Sequence, residues 1–257
     1  MSFRSNLYRG ACLALLLSFA SATSQAQSSP EGRVQDKNFN TWLMFFSDAR
    51  LTDRWGLHTE WQWRRSKGVR EPLQDFGRIG INFYAGDKAM LTAGYAYALT
   101  HPYGDFPAAE KFPEHRLYEQ LQLRSEHGPF QVSQRYRLEQ RWIQRPQETD
   151  FTYTNRARYQ IRAVLPLAGP MESLRPGTPY LAAYDEIFVN FGRNVAQNIF
   201  DQNRAYGALG YQFTRATAVE VGYLHQLVAQ GNGLVFEHNH TLQLSLTFNP
   251  DFRASER

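Results

Sequence analysis

The chain has 257 residues, a formal net charge of +4, and 42% hydrophobic and 14% aromatic residues. This length suits a single domain, and the nearly balanced charge gives no support to a nucleic-acid-binding function. Cys12 is the one cysteine in the sequence, and it lies close to the N-terminus. A chain that loses this segment would have no disulfide, no iron–sulfur cluster and no cysteine nucleophile.

Residues 1–26 have the pattern of a cleaved secretory signal peptide. Arg4 and Arg9 flank the start of an apolar run at residues 11–20, and residues 24–26 provide a small-x-small cleavage site. A membrane anchor is the alternative, but the run is shorter than the ~20 residues that a spanning helix needs. Cleavage would remove two arginines and no acidic residue, which lowers the formal charge from +4 to +2.

From about residue 39 onward, strand-like segments alternate with turn and loop sequences. Segments 55–64 and 90–100 alternate between two faces, and the last segment, 241–248, is the most regular. In the last segment Leu242, Leu244, Leu246 and Phe248 share one face, because successive side chains of a strand point to opposite sides. We count eleven such segments, and many have about the 9–11 residues that a tilted membrane crossing requires.

The connections between these segments alternate in length. Alternation of short periplasmic turns with longer external loops is typical of outer-membrane barrels. The connection at 165–179 departs from this pattern, because it is long and proline-rich although it falls on the periplasmic side. The short connections are near 48–53, 85–88, 126–129 and 214–217, and the longer ones are at 65–74, 101–114, 192–203 and 229–238.

These patterns predict an all-β fold, an antiparallel transmembrane β-barrel of the bacterial outer membrane. Barrels of this class have an even number of strands. We therefore expect twelve strands, within a range of ten to twelve, with residues 27–38 supplying a weak strand or threading the lumen. The barrel itself is assigned to residues 39–248, and residues 249–257 to a periplasmic tail.

Charged residues concentrate in the polar register of two neighbouring segments, 130–144 and 153–164. An arginine at the midplane of the lipid-facing surface costs about 2–4 kcal/mol, so these side chains are expected to line the interior. Four carboxylates are predicted to balance these arginines, and each lies in the polar register of its own segment: Glu60, Glu139, Glu186 and Glu220. The predicted set comprises Arg135, Arg137, Glu139, Arg141, Arg156, Arg158 and Arg162, with Glu60, Glu186 and Glu220.

Two interpretations of this charged strip remain open. It can be an internal ion-pair network that fills a narrow barrel, or a basic path that binds or conducts small anions. Arginine suits both, because its planar fork pairs with carboxylate, phosphate or sulfate. Twelve strands lie between the filled eight-stranded barrel and the open sixteen-stranded porin, so a narrow or plugged lumen is expected.

Aromatic residues near the ends of the segments are predicted to form girdles at the lipid–water interface. The expected partners are outer-membrane lipid and, through the C-terminal strand, the barrel-assembly machinery; no cofactor is expected, and the oligomeric state is left open. The girdle residues are Trp42, Trp55, Trp61, Trp63, Trp142, Tyr180 and Tyr223.

Two other functional classes are open. A lipid-modifying enzyme would need a serine, a histidine and an orienting group. His225 is expected to face outward near the outer rim, but no serine has a spacing that pairs with it, and Ser245 on the adjacent strand is expected to face inward. His238 and His240 share a face but lack an identifiable third metal ligand, so no metal site is predicted. A soluble secreted barrel or sandwich would need a second sheet to cover the apolar faces.

Several short motifs resemble one known family. They are Tyr136-Arg137-Leu138-Glu139-Gln140-Arg141, Asn155-Arg156-Ala157-Arg158-Tyr159, Trp42, residues 185–191, 210–212 and 221–223. Together they resemble an uncharacterised outer-membrane β-barrel family catalogued as a domain of unknown function, number 2490. The resemblance covers about residues 38–248. It implies a bacterial outer-membrane barrel and supplies no catalytic residues.

Overall fold

The computed structural model describes residues 33–168, 174–195 and 197–253, and this part of the chain is built from strands. None of these residues belongs to a helix long and apolar enough to cross a membrane. The eleven strands are β1 (Val34–Arg50), β2 (Trp55–Ser66), β3 (Glu71–Tyr84), β4 (Ala89–Thr100), β5 (Phe112–His127), β6 (Phe130–Ile143), β7 (Thr152–Pro166), β8 (Thr178–Phe191), β9 (Phe200–Gln212), β10 (Thr217–Ala229) and β11 (Val235–Phe248).

The strands form one closed barrel in which sequence neighbours pair antiparallel, and β1 closes the ring against β11. The closing pair is parallel, with a register that runs from Val34 opposite Val235 to Phe46 opposite Thr247. In a meander of eleven strands the first and last run in the same direction, so they can pair only in parallel. The seam still satisfies the backbone hydrogen bonds of both strands, which leaves no open sheet edge.

Eleven strands lie within the predicted range of ten to twelve, but the preferred count of twelve and the fully antiparallel closure are wrong. The eleven segments found in the sequence correspond one to one with the eleven strands. Residues 34–38 do not form a separate strand, because they are the first residues of β1. An even strand number is a rule for fully antiparallel barrels, and a parallel seam removes the need for it.

The predicted boundaries of the barrel and of the C-terminal tail can be compared with the described residues, whereas that of the signal peptide cannot. The barrel begins five residues earlier than predicted and ends at Phe248 as predicted. Of the predicted tail, Asp251 pairs with Arg50 in an isolated parallel bridge, and Asn249 Oδ1 accepts a hydrogen bond from the backbone N–H of Asp48 at 2.8 Å. The proposed signal peptide at 1–26, residues 27–32 and residues 254–257 lie outside the described residues.

The two ends of the barrel differ in their connections. The end that carries Arg50 and Phe248 is called the turn rim here, and the opposite end, which carries Val34, the loop rim. The predicted long loop at 65–74 shrinks to four residues, because β2 and β3 extend into it. The turn rim carries connections 51–54, 85–88, 128–129, 167–177 and 213–216, and the loop rim carries 67–70, 101–111, 144–151, 192–199 and 230–234.

The barrel is apolar outside and largely polar inside, the reverse of a soluble protein. On β11, for example, Leu242 and Leu246 are 39% and 41% exposed, whereas the alternate residues Thr241 and Gln243 are buried. The same alternation recurs on β2, where Trp55 and Trp61 point outward and Glu60 points inward. The exposed apolar side chains recur on every strand of the ring.

Tyrosine rings fill positions where the inward-facing residue is a glycine. The ring of Tyr118 lies against Gly80 and Gly94, which face each other across β3 and β4. A Cβ at Gly94 would lie 2.2 Å from the carbonyl oxygen of Ile79 and 2.9 Å from Tyr118 Cε1. The backbone would therefore have to move to admit any side chain at this position.

We expect Gly94→Ala to destabilise the barrel by about 1–3 kcal/mol, the usual cost of overpacking. Gly77→Ala is the matched control, because a Cβ at Gly77 would have no heavy atom within 4 Å. Urea unfolding of the refolded protein in detergent micelles measures both changes. Equal stabilities of the two variants would contradict the packing role of Gly94.

Candidate functional site

A network of ion pairs crosses the interior, and Glu139 on β6 lies at its centre with 1% of its side chain exposed. Its Oε2 accepts hydrogen bonds from Arg156 Nε at 2.9 Å and Nη2 at 2.6 Å. Its Oε1 accepts one from Arg158 Nη1 at 2.7 Å and lies 3.5 Å from Arg78 Nη2. One buried carboxylate therefore holds guanidinium groups from two strands, β3 and β7.

The network continues on both sides of Glu139. Arg158 Nη2 also donates to Glu186 Oε1 at 2.8 Å, and Arg135 Nη2 donates to the same oxygen at 2.9 Å. Arg156 Nη1 donates to Asp201 Oδ2 at 2.7 Å. The network thus links β6 through β9, with charge-assisted hydrogen bonds at each step.

Two further carboxylates hold arginines near the two rims. Glu114 Oε1 accepts from Arg116 Nε at 2.6 Å and from Arg141 Nε at 2.5 Å. Glu220 Oε1 accepts from Arg162 and from the Tyr180 hydroxyl, the latter at 2.9 Å. These contacts stiffen the wall of the barrel from inside.

All ten charged residues predicted to line the interior lie there. Nine of them take part in ion pairs, including Glu60 with Arg78 at 2.5 Å. The tenth, Arg137, donates instead to the neutral side chain of Gln120, from Nε at 2.9 Å. The structure thus contains a feature that fits each of the two interpretations. The extensive ion-pair network fits a filled barrel, and an arginine outside that network fits an anion path.

The predicted set of interior charges leaves out eight Asp, Glu and Arg residues that are buried in the described part of the chain. On β3, β5 and β9 the inward register mixes charge with aromatic residues, as in Phe76 beside Arg78 and Arg116 beside Tyr118, which hides the polar face. Alternation from the exposed Ile79 and Ile81 would have placed Arg78 inside. These residues are Asp36, Arg64, Arg78, Glu114, Arg116, Asp201, Arg204 and Glu237.

Among the described residues, seven arginines are buried, and they divide into two groups. Arg78, Arg116, Arg156 and Arg158 are paired with carboxylates. The other group has no carboxylate within 4.0 Å in the described part of the chain. It consists of Arg64, Arg137 and Arg204.

Aromatic rings position these unpaired arginines. The guanidinium carbon of Arg64 lies 4.0 Å from the centre of the Trp42 ring, and that of Arg204 lies 5.2 Å from the same ring. Arg204 also lies 4.8 Å from the centre of Phe188. The ring faces supply cation–π attraction to both arginines, while Arg64 also donates to Gln62 and Gln74.

The lumen contains two chambers of similar composition. One, of about 270 Å³, opens toward the loop rim, and the other, of about 410 Å³, opens toward the turn rim. Four side chains line both chambers and define a waist between them: Glu60, Gln62, Arg158 and Arg204. Arg204 therefore lines both the loop-side chamber and the turn-side chamber.

The model of a protein family described as "Protein of unknown function (DUF2490)" matches residues 39–237. The chain belongs to this family. The match confirms the family that the sequence motifs predicted, and it covers most of β1 through the start of β11.

One relative is an uncharacterized protein of Methylorubrum extorquens. It is 26% identical over 196 residues, which cover 74% of this chain and 79% of the relative. No solved structure matches the chain.

In this DUF2490 member, two of the predicted interfacial aromatics lie inside the barrel, so that prediction is wrong for Trp42 and Tyr180. Trp42 is 1% exposed and stacks with arginines, and Tyr180 bonds to Glu220. Their registers place them opposite inward residues, since Trp42 pairs with Arg64 and Gln243. The other five lie on the outer surface: Trp55, Trp61, Trp63, Trp142 and Tyr223.

The loop-rim connection between β4 and β5 folds against the wall formed by β1 and β11. The Tyr103 hydroxyl donates to Glu237 Oε2 at 2.5 Å, and the Asp105 N–H donates to Asp36 Oδ2 at 3.4 Å. Burial and the neighbouring Glu237 carboxylate raise the pKa of Tyr103 well above its usual value of 10.0. The phenol therefore stays protonated, and this contribution to stability is complete below pH 10.0 and is lost as the pH rises from there through the raised pKa.

We expect Tyr103→Phe to loosen this connection by about 1 kcal/mol, the net worth of one hydrogen bond. Trypsin should then cleave after Lys111 about fivefold faster, because cleavage follows the population of the open form. Tyr97→Phe, on the outer surface, is the control. Mass spectrometry of the fragments gives the cleavage rates. An unchanged rate at Lys111 would show that the Tyr103–Glu237 hydrogen bond does not hold this connection against the wall.

Three histidines gather on the outer surface near the loop rim. His225 Nε2 lies 3.3 Å from His238 Nδ1, and the rings of His225 and His240 are 5.4 Å apart. In the residues that the structure covers, no group of three His, Cys, Asp or Glu side chains can hold a metal ion. Ser245 is buried inside the barrel, where Gln243 bonds to it, so His225 and Ser245 lie on opposite faces of the wall.

Proposed function

We propose that the chain is an integral outer-membrane β-barrel whose narrow, arginine-rich lumen binds and passes small anions. The apolar outer surface supports a membrane location, because isolated soluble proteins rarely expose large contiguous apolar areas. Side chains such as Ile81 at 59% and Leu209 at 58% exposure would contact lipid acyl chains. A secretory signal peptide at 1–26, as the sequence predicts, would deliver the chain to the envelope.

The proposed orientation places the loop rim outside the cell and the turn rim in the periplasm. Longer connections on the external side are the usual arrangement in outer-membrane barrels. The C-terminal strand β11 would then end at the periplasmic side, where the barrel-assembly machinery would engage it. Outer-membrane lipid would contact the girdle formed by Trp55, Trp61, Trp63, Trp142 and Tyr223.

One observation carries the proposal for anions: Arg64, Arg137 and Arg204 are buried without a carboxylate partner among the described residues. A buried charge is costly unless it is paired or hydrated. An internal scaffold alone would be expected to pair each arginine, as Glu139 does for Arg156 and Arg158. A water-filled lumen that admits anions accounts for the unpaired ones.

Current through the refolded protein in planar bilayers, with a salt gradient across the membrane, tests this function. We expect small steady steps whose reversal potential has the sign of anion selectivity. Correct folding is checked by heat-modifiable migration in detergent gels. Cation selectivity, or a folded barrel without current, would overturn the conducting function.

A closed structural barrel is the second candidate. The observation that favours it is the waist, where Glu60 and Arg158 are engaged in ion pairs and Trp42 and Phe188 are each 1% exposed. A silent but folded barrel would support this candidate. Recovery of the protein in the periplasmic extract would instead refute the membrane location for both and favour a soluble barrel.

A further inference from the structure

The waist of the lumen has an excess of positive charge at one place, beside Trp42. The guanidinium carbons of Arg64 and Arg204 lie 4.0 and 5.2 Å from the centre of this ring, so two positive charges lie beside the same indole inside the barrel. Like charges at short range repel strongly where the dielectric constant is low. An anion between them would replace this repulsion with two attractions.

The hydrogen bonds of the two arginines point to the same conclusion. Arg64 donates to neutral amide oxygens only: Nε donates to Gln62 at 2.8 Å, Nη2 donates to the same oxygen, and Nη1 donates to Gln74 at 2.8 Å. Arg204 is 8% exposed and has no hydrogen-bond acceptor in the described part of the chain. Its Nε is buried without a partner. Buried donors in proteins nearly always have an acceptor, so this site has unused capacity for one.

The carboxylates near the waist are already engaged, beginning with Glu60 of the waist itself, which pairs with Arg78. Glu186 is opposite Arg204 in the strand register, but its Oε1 accepts from Arg135 and Arg158. Asp201 accepts from Arg156 and Asn190. Neither is within ion-pair distance of Arg204.

We infer that Arg204 and Arg64, held by Trp42 and Phe188, form a binding site for one small oxyanion group, such as sulfate, phosphate or a carboxylate. Stacked guanidinium groups present their N–H donors in the plane that suits two oxygens of such a group. Arg64, Trp42 and Phe188 line the loop-side chamber and Arg204 lines both chambers, so an anion can reach the site from the loop-side chamber. This inference rests on the proposed function and specifies where the lumen holds its anion.

Trp42 provides a direct reporter of occupancy. It is the one tryptophan of the described residues that lies inside the barrel, since the other four are on the outer surface. In a background with Trp55, Trp61, Trp63 and Trp142 replaced by Phe, fluorescence comes from Trp42 alone. Titration of the folded protein in detergent micelles with sodium sulfate, phosphate and acetate then compares the three classes of oxyanion at constant ionic strength.

We expect a saturable change in Trp42 emission, and a loss of affinity of about tenfold or more in Arg204→Gln and in Arg64→Gln, since each removes charged hydrogen bonds to the ligand. Arg204→Lys should retain part of the affinity, because it keeps the charge and loses the fork. Arg141→Gln is the matched control. It removes one charge from the loop-side chamber, and Glu114 keeps its bonds to Arg116.

The outcomes separate this site from the proposed function. No saturable response in a folded protein, or an equal loss of affinity in Arg141→Gln and Arg204→Gln, would overturn the site. Anion-selective current without a response of Trp42 would overturn the site and leave the conducting function in place. A sulfate response that Arg204→Gln removes, in a barrel without current, would support the site and overturn conduction.

Discussion

Replacement of Glu139 by Gln is expected to lower the free energy of unfolding by about 3–5 kcal/mol, the cost of breaking a buried ion pair by removing one partner. Glu139 binds Arg156 and Arg158 and lies 3.5 Å from Arg78, and all three arginines would keep their charge. Glutamine has the same shape, so the loss would be electrostatic. Urea unfolding in micelles, followed by heat-modifiable migration, measures it.

The control for this change is Glu119→Gln. Glu119 is exposed on the outer surface of β5, where its Oε2 accepts one hydrogen bond from Gln140 at 3.1 Å. We expect this variant to be as stable as the parent, because the exposed Glu119 forms no ion pair in the described part of the chain. Equal losses in the two variants would mean that Glu139 does not organise the interior.

The second large effect concerns selectivity without loss of stability. Arg137→Gln combined with Arg204→Gln should reduce the permeability ratio of chloride to potassium about tenfold or more. A tenfold change corresponds to about 1.4 kcal/mol. The interaction of two unit charges about 4 Å apart ranges from about 1 kcal/mol in water to about 4 kcal/mol in a partly dry lumen, so the loss of these charges is large enough. Reversal potentials in a KCl gradient give the ratio.

The same double variant should unfold at the same urea concentration as the parent, or at a higher one. Neither arginine has a carboxylate partner in the described chain, so their loss strands no buried acid. Arg158→Gln is the contrast, because it removes the partner that Glu139 and Glu186 share. Unchanged selectivity together with lower stability in the double variant would show that these arginines serve only the structure.

Much of this fold follows from local pattern. Residues 241–248 alternate so regularly that their two faces could be assigned from the sequence, and the structure buries Thr241, Gln243 and Ser245 as that assignment requires. The arginines of β6 and β7 were placed inside for a physical reason, the cost of charge on an apolar surface. Whether a residue points into or out of the barrel depends on the alternation within its own strand, so it can be predicted from the sequence.

The errors concern properties that depend on more than one strand. On β1 both faces are apolar in the middle, with Trp42 and Met44 inside and Leu43 and Phe45 outside, so alternation could not assign Trp42. The closing seam joins Val34 to Val235, and no local pattern reports a contact between such distant residues. Which carboxylate each arginine reaches likewise depends on the relative register of strands.

The parallel seam has a further consequence for the ends of the barrel. In a ring with an even number of strands, the start of the first strand and the end of the last strand lie at the same rim, so a short linker could join them. Here Val34 lies at the loop rim and Phe248 at the turn rim, so the two points are separated by the full height of the wall, at roughly 3.3 Å per residue of strand. Circular permutation would therefore need a linker that runs the full height of the barrel. Epitope tags inserted before Val34 and after Asp251 should be accessible to antibodies from opposite sides of a sealed vesicle.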